Sequence, residues 1–500
     1  MGKSEKIFNS LAQKLKNVQT RYFLLSVIAV QFVLHLPVFS MPPMGQHVWR
    51  QVMGLSMARN YYEEDRSFLD SAQDIRVGTE DGGEIYTELP WIYWFIGKSY
   101  HLTGFSHLNG RLTAFMLAVL LLLGCYQLMK ELKFDETSSR WFVFFMGFTP
   151  YFFYYSVSFL PNLPSLALFI WGLVLINSRL ELQKWDSFYF LGVLLLTLAT
   201  TTKQLYLFYG LPVLYLFLRN FFNTRRWDVL FIGIGSGMFL LGVNYTLYRY
   251  GLEMNSMAPW ERSSTVQLHD SQLPAEWSSY VRIFQVALMT WFLEMYVNTA
   301  AIPFFLAGCY YCIRNKTWQS DHSGFWIAWI ISFVFLSFSF LDKFEQHGYY
   351  LTSISLLAGL GSTYGAVQFY QKPLGRKVTV VLLVLIPIVM IGRVSHRWID
   401  TKQVPDELLD YPEVFQEHIP KDRQVLIHGD TTPVVYLYFL NRNGLSLNLK
   451  TLPVSEFKKY RLKGFDYFVS QAKPGTLPSL VGQEYQILSR IGDFHILRFQ

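Results

Sequence analysis

Tyr22–Phe39 reads YFLLSVIAVQFVLHLPVF, an apolar run without Asp, Glu, Lys or Arg, and it follows Lys3, Lys6, Lys14, Lys16 and Arg21. A helix needs about 20 largely apolar residues to cross the hydrocarbon core of a bilayer, and this run approaches that length. The residues beyond it, Met41 to Gly45 (MPPMG), offer no small-residue cleavage site. The run therefore reads as a retained anchor. Residues 1–21 are then a basic cytoplasmic N-terminus.

The same signature recurs along the chain. Further apolar runs cover Ser106–Met129, Trp141–Phe159, Pro161–Ile176, Phe188–Thr201, Gln204–Leu218, Val229–Tyr248, Val286–Ile313, Phe325–Leu341, Tyr350–Tyr370 and Val378–Ile391. Basic residues follow the even-numbered runs: Lys130 and Lys133, Arg179 and Lys184, Arg219, Arg225 and Arg226, Arg314 and Lys316, and Lys372, Arg376 and Lys377. Lys and Arg concentrate on the cytoplasmic side of membrane helices. The expectation is an all-α polytopic bundle of about eleven spans with those ends inside.

Composition agrees. Of the 500 residues 51% are hydrophobic and 16% charged, whereas soluble chains carry about a quarter charged residues. The 18% aromatic content suits rings lying at headgroup level. The net charge of +7 resides in the short clusters between spans, which speaks for membrane orientation and against nucleic acid as a partner. The three cysteines, Cys125, Cys309 and Cys312, all fall in apolar runs, so no disulfide framework is expected. The C-x-x-C of Cys309 and Cys312 lacks a second pair or a nearby His and reads as small buried hydrophobes.

Three larger segments fall on the outer side: Ser40 to about Phe105, Gly251 to about Tyr280, and everything beyond Arg393. The division is therefore 22–393 for the membrane domain, including the outer loop 40–105, and 394–500 for a small extracytoplasmic α/β domain. In the latter Gln424–His428, Phe465–Ser470, Gln486–Arg490 and His495–Phe499 alternate as strands, with Thr432–Leu440 helical. Trp91–Tyr100, with Trp91, Tyr93, Trp94 and Phe95, is amphipathic and reads as an interfacial helix.

Residues able to do chemistry gather on the outer side. Gln46-His47-Val48-Trp49-Arg50-Gln51 lies just beyond the first span. Glu80, Asp81, Glu84 and Glu88 follow, and a helical turn would put Glu84 and Glu88 on one face. Lys203 lies at the turn between the fifth and sixth spans; Lys343, Glu345, His347, Tyr349 and Tyr350 lie between the ninth and tenth. Singly, each has an ordinary explanation: a lysine reaching for headgroups, a solvated acidic loop, a Trp anchor. Together, acids and bases on one face suit a site that holds a phosphate and removes a proton.

The order of these motifs resembles the GT-C superfamily of membrane glycosyltransferases, and family 39 in particular, which holds protein mannosyltransferases and the lipid A aminoarabinose transferase. The resemblance rests on His47, Trp49, Arg50 and Gln51, on Ala58-Arg59-Asn60, on Glu88-Leu89-Pro90 with Tyr93-Trp94, on Gly110-Arg111-Leu112, on Thr202-Lys203 and on His347, Tyr349 and Tyr350. It covers most of the membrane region and fades over the C-terminal domain. It implies transfer of a sugar from a polyprenyl-phosphate donor to a lipid, glycan or protein acceptor outside the cytoplasmic membrane, with inversion and without a metal or other cofactor. A bacterial inner membrane is the implied location.

In that scheme Lys203 and Lys343, helped by Arg50, Arg59 and His347, stabilise the charge on the departing phosphate. Glu88 deprotonates the acceptor, with Glu84 and His47 as the other candidates. Trp49, Gln51, Tyr349 and Tyr350 contact substrate. One departure stands out: relatives place an Asp two residues after the Gln of the first loop, and here that residue is Met53. Two other classes stay open on the sequence, a transporter or flippase for lipid-linked sugar and a non-catalytic membrane scaffold. Scarce ionisable residues inside the spans and the lack of an inverted repeat weigh against the first.

Overall fold

The computed structural model describes residues 19–259, 262, 276–317, 323–399, 401–447, 459–471 and 485–499. Lys3, Lys6, Lys14 and Lys16, and much of the second outer segment, lie outside them. The chain divides into two compact units. One comprises Met1–Phe39, Arg111–Thr246 and Asp270–His396; the other comprises Ser40–Gly110, Leu247–His269 and Arg397–Gln500.

The first unit is a bundle of apolar helices. Among the described residues six helices are long and apolar enough to cross a membrane: His107–Glu131, Asn162–Glu181, Gln204–Thr224, Trp227–Met257, Trp277–Arg314 and Pro373–Trp398. Thr20–His35, Ser187–Thr202 and Ser323–Ser339 are shorter apolar helices. Small residues set the tightest crossings. A Cβ on Gly308 or Gly365 would collide with the backbone of Gly361 or Phe304, so Ile302–Arg314 and Ile354–Tyr370 meet almost backbone to backbone. Gly172 and Gly192 make room for Leu196 and Ile176 between Asn162–Glu181 and Ser187–Thr202.

Two of the runs read as single spans are broken. The run Trp141–Phe159 holds one helix, Glu136–Gly147, and a second short one, Pro150–Tyr155. Pro150 cannot extend the first helix, and Thr149 caps the second through its hydroxyl on the Phe152 N–H at 3.0 Å. The run Val286–Ile313 passes through a π-helical stretch, Val286–Asn298, and turns at Asn298, whose φ is +75°. Backbone carbonyls freed at such breaks need partners where water is absent. Gln31 donates to Gly147 O at 2.8 Å, Arg111 to Val157 O at 2.8 Å, and Asn298 to Phe148 O and Ile386 O at 3.0 Å each. His35 meets Phe153 O at 2.8 Å. The polar residues embedded in these helices thus tie down the breaks.

The second unit is built on a five-stranded sheet in the order β2-β1-β3-β5-β4. Its strands are β1 Gln424–His428, β2 Gly444–Ser446, β3 Phe465–Gln471, β4 Tyr485–Ile491 and β5 Phe494–Phe499. β2, β1 and β3 are parallel; β3, β5 and β4 are antiparallel. The helix after β1 begins at Val435, later than the sequence pattern indicates, because Pro433 and the loop before it occupy the start.

The outer loop 40–105 belongs to this second unit, not to the membrane bundle as its place in the chain suggests. Its residues 74–76 lie along β2: Gly444 N donates to Asp74 O and Arg76 N to Gly444 O, both at 2.9 Å. Gly78 N donates to Gln424 Oε1 at 3.0 Å. Arg262, from the second outer segment, clamps Asp81 at 2.6 Å. Burial works against the Asp81 charge, but Arg262 and the N–H groups of Val77 and Gly83 hold its carboxyl below the usual range. The loop's two helices, Val48–Glu63 and Trp91–Thr103, pack through Gly54 against Tyr93 and Gly97 against Ala58, around Tyr61, Ile85, Ile96 and Tyr100. The second helix leaves Phe95 and Leu102 exposed, an outward apolar face suited to an interface.

Candidate functional site

The predicted residues form two clusters, one in each unit. In the second unit His47 starts the helix Val48–Glu63 with φ of +58° and is buried. Its carbonyl accepts from Arg50 N at 3.0 Å and Gln51 N at 3.2 Å, closing the first turn. Arg50 reaches from that turn to Glu88 and forms an ion pair with side-chain exposures of only 8% and 7%. Tyr93 OH donates to the same Glu88 oxygen at 3.0 Å. Glu88 precedes Pro90, which ends the extended segment and starts the helix carrying Tyr93. A buried carboxylate needs this kind of partnering, and here the partners also fix its direction. Trp49 is half-buried beside the cluster.

Three sequence assignments change at this point. Glu84 is not on a helical turn with Glu88: it lies in an extended bridge with Ala72, half-buried, and pairs with Arg66 at 3.1 Å. Arg59 is not placed to receive a phosphate. It is buried against Asp74, donates to Tyr438 O at 2.9 Å and lies over the Tyr438 ring at 4.7 Å. Gln51 bonds its own segment, at Gln46 O (3.1 Å) and Met44 O (3.4 Å), which makes it a brace of the loop. Met53 is a buried core residue, so the first loop offers no carboxylate between Gln46 and Met53.

The membrane unit holds the second cluster. Lys203 caps Ser187–Thr202 in an extended conformation, because the chain changes there to the 3-10 turn Gln204–Tyr209. Its ammonium lies 5.8 Å from the centroids of both Tyr349 and Tyr350. Those rings stack at 5.1 Å, with His347 5.5 Å from Tyr349. Lys343 sits one turn earlier, 3.0 Å from Asp342, and His347 N donates to Lys343 O at 2.8 Å. Burial, Lys343 and Lys203 together push the His347 imidazole down to about 4, so it is neutral at pH 7.

The turn carrying these groups is pinned from beneath. Asn162 Nδ2 donates to Tyr349 O at 3.0 Å, Tyr296 OH to Gly348 O at 2.8 Å and Trp329 Nε1 to Ser353 O at 3.0 Å. Gly348 is required because a Cβ there would strike the Trp291 ring. From Tyr350 an aromatic path runs through Phe340 (5.3 Å) to Phe208 (5.8 Å). Phe208 lines an apolar groove with Leu207, Leu211, Leu214 and Phe335. A cationic head and an adjoining apolar trough suit an amphiphile with an anionic group.

Sequence reasoning missed several supporting groups. Tyr93 was legible only as a motif letter, and Arg397, which donates to Gln46 Oε1 at 2.7 Å, only as a charge after the last span. Glu294, in the π-helical stretch, pairs with Arg393. A lone carboxylate within an apolar run was the available signal for it.

Residues 88–244 match the family model described as dolichyl-phosphate-mannose-protein mannosyltransferase. Among solved structures, the fold is similar to ArnT from Cupriavidus metallidurans bound to undecaprenyl phosphate, with a TM-score of 0.64 and 11% identity over 96% of this chain and 98% of that one. It is similar to the Archaeoglobus fulgidus oligosaccharyltransferase, with a TM-score of 0.52 and 12% identity over 90% of this chain and 68% of that one. The arabinofuranosyltransferase AftD from Mycobacteria gives 0.55 and 12% over 97% of this chain and 40% of that one. No curated protein matches the sequence. The chain is an integral membrane protein with the fold of the GT-C glycosyltransferases.

Proposed function

We propose that this chain is a glycosyltransferase that moves a sugar from a polyprenyl-phosphate donor to an acceptor outside the cytoplasmic membrane. The observation that carries the reading is the pairing of Lys203, Lys343 and a neutral His347 with an apolar groove on the same segment. Lys203 and Lys343 take the phosphate, whose charge grows as the anomeric carbon becomes oxocarbenium-like. A neutral imidazole adds a hydrogen bond without a further like charge. The prenyl tail lies in the groove of Leu207, Phe208, Leu211, Leu214 and Phe335, and the stacked Tyr349 and Tyr350 flank the head group.

Glu88 is the proposed base. Arg50 and Tyr93 hold its carboxylate oxygen, so a hydroxyl presented to the other oxygen meets an oriented acceptor. With Met53 in place of a loop carboxylate, Glu88 takes the proton directly and the reaction inverts the anomeric carbon. No metal is proposed to take part. The finer topology is eleven spans with the N-terminus in the cytoplasm and the C-terminal domain outside a bacterial inner membrane; the basic clusters support it. The acceptor is a lipid, glycan or protein hydroxyl.

The test is transfer of label from radiolabelled polyprenyl-phosphate sugars in membranes containing wild type, Glu88→Gln or Lys203→Ala. Loss of transfer in both variants at normal expression supports the reading. Transfer unchanged in both removes these residues from the site, and no transfer by wild type from any donor removes the activity.

A further inference from the structure

One end of the membrane unit gathers basic side chains with no acid beside them in the sequence. Residues 295–320 and 346–392 contain no Asp or Glu, and their only Lys and Arg residues are Arg314, Lys316, Lys372, Arg376 and Lys377. Asp321, in the loop beyond Lys316, lies outside the described residues. Arg314 and Lys316 stand at the end of the helix Ile302–Arg314. Lys372 follows Ile354–Tyr370, and Arg376 and Lys377 open Pro373–Ile399. These ends meet: Lys372 Nζ donates to Tyr311 OH at 2.8 Å, and Asn315 Nδ2 to Tyr364 OH at 3.1 Å.

The local backbone holds the cations in place. A Cβ on Gly375 would strike Phe369 O, so the chain folds back tightly between its two helices. Lys372 N donates to Phe369 O at 3.1 Å and Arg376 N to Lys372 O at 2.8 Å. Across from this turn Lys316 has φ of +50°, and its N–H donates to Ile313 O at 3.3 Å. Arg376 lies 5.4 Å from the centroid of the Tyr370 ring.

Other basic ends in the same unit are matched by acids. Lys133 pairs with Glu181 at 2.6 Å, Arg219 with the same Glu181 at 3.2 Å, Arg179 with Asp186 at 3.3 Å and Lys130 with Glu136 at 3.3 Å. Here Arg314 and Lys372 reach tyrosine hydroxyls instead, Tyr310 at 3.3 Å and Tyr311 at 2.8 Å. A neutral phenol orients a cation without cancelling its charge. Membrane orientation calls for Lys and Arg at such ends, but it does not explain why this one lacks carboxylates.

Apolar surface adjoins the cations. Leu306, Tyr310 and Ile313 are exposed at i, i+4 and i+7 on the helix that ends at Arg314, so they share one face. Trp277–Arg314 and Pro373–Trp398 are long and apolar enough to cross a membrane, which sets their basic ends at headgroup depth. An exposed apolar stripe leading to a group of cations complements a lipid with a negatively charged headgroup.

We propose that this end of the bundle binds an anionic phospholipid. Arg314, Lys316, Lys372, Arg376 and Lys377 hold its phosphate, and an acyl chain lies along Leu306, Tyr310 and Ile313. The site is distinct from the cluster of Lys203, Lys343 and His347. His347 and Tyr350 precede Ile354–Tyr370 and Lys372 follows it, and a helix of 17 residues is about 25 Å long. A headgroup here joins the ends of three helices.

The test is native mass spectrometry of the full chain purified in detergent, titrated with phosphatidylglycerol or with phosphatidylcholine of the same acyl chains. Wild type is expected to retain phosphatidylglycerol about tenfold more strongly or better. The triple variant Lys316→Gln, Lys372→Gln and Lys377→Gln is expected to lose that preference, and Arg at the same three positions to keep it. Lys184→Gln with Arg225→Gln, at another basic end, and Lys203→Ala are expected to leave it unchanged. Excess glycerol 1-phosphate is expected not to compete, because a free headgroup makes no use of the apolar stripe. Equal retention of both lipids by wild type, or a preference unchanged by the triple Gln variant, overturns the proposal. So does its loss in the triple Arg variant, in the Lys184 and Arg225 variant or in Lys203→Ala, or displacement by glycerol 1-phosphate. Sugar transfer is not the readout, so failure here and failure of the transferase reading are separate results.

Discussion

The two clusters treat charge in opposite ways. In the membrane unit like charges are gathered: burial, and then Lys343 and Lys203 beside it, drive one imidazole down to about 4. In the second unit opposite charges are matched: Arg50 pairs with one oxygen of Glu88, to which Tyr93 OH also donates. Asp342, 3.0 Å from Lys343, offsets part of that positive charge, and a bound anion would offset more. Matching charge leaves the carboxylate oriented before anything binds. The first arrangement suits binding a phosphate, and the second orients a carboxylate toward an incoming acceptor hydroxyl.

Breaking either arrangement has a different consequence. Lys203→Ala removes a cation from the gathered cluster and is expected to lower transfer about 100- to 1000-fold, measured as initial rate in membranes, in the range seen when one donor to a developing anion is lost. Glu88→Gln keeps the shape and the Tyr93 bond but cannot accept the proton, and it leaves buried Arg50 without its counter-charge, so the rate is taken per folded molecule. A fall of about 100-fold in kcat with donor affinity unchanged is expected, because general bases contribute on that order or more. Arg59→Gln separates structure from chemistry. It breaks the buried pair with Asp74, so a lower Tm of the purified protein is expected, with kcat per folded molecule retained.

Much of the membrane fold is legible because a bilayer demands long apolar runs, and composition alone shows them. The breaks at Phe148 and Asn298 are not legible, because they depend on distant side chains such as Gln31 and Arg111 bonding freed carbonyls. The outer loop is misassigned for a related reason. Its residues 74–76 pair with β2 some 370 positions later in the chain, and no local pattern announces such a partner. Residue types and order single out Lys203, His347 and Glu88 as candidates, but only the packing shows that Glu84 and Arg59 serve other partners.

Two smaller effects sharpen the contrast. Lys343→Met is expected to raise the His347 pKa from about 4, read by NMR of labelled histidine, since a neighbouring cation is removed. The folded value lies below the ordinary 6.5, so the unfolded chain binds more protons between the two. The contribution of His347 to wild-type stability therefore grows as pH rises across that window and is lost as pH falls through it. Lys343→Met, in which burial and Lys203 still lower the value but by less in total, is expected to show a somewhat flatter dependence of Tm on pH. Gly365→Leu, away from both clusters, is expected to cost about 1–3 kcal/mol through overpacking against Phe304, seen as a lower Tm.

The most direct measurement is the affinity of the purified protein for polyprenyl phosphate without a sugar, compared between wild type, Lys203→Ala and Glu88→Gln. The account predicts that wild type and Glu88→Gln bind alike and that Lys203→Ala binds at least tenfold more weakly. Equal binding by all three, or a loss confined to Glu88→Gln, would contradict the assignment of the phosphate to the gathered lysines.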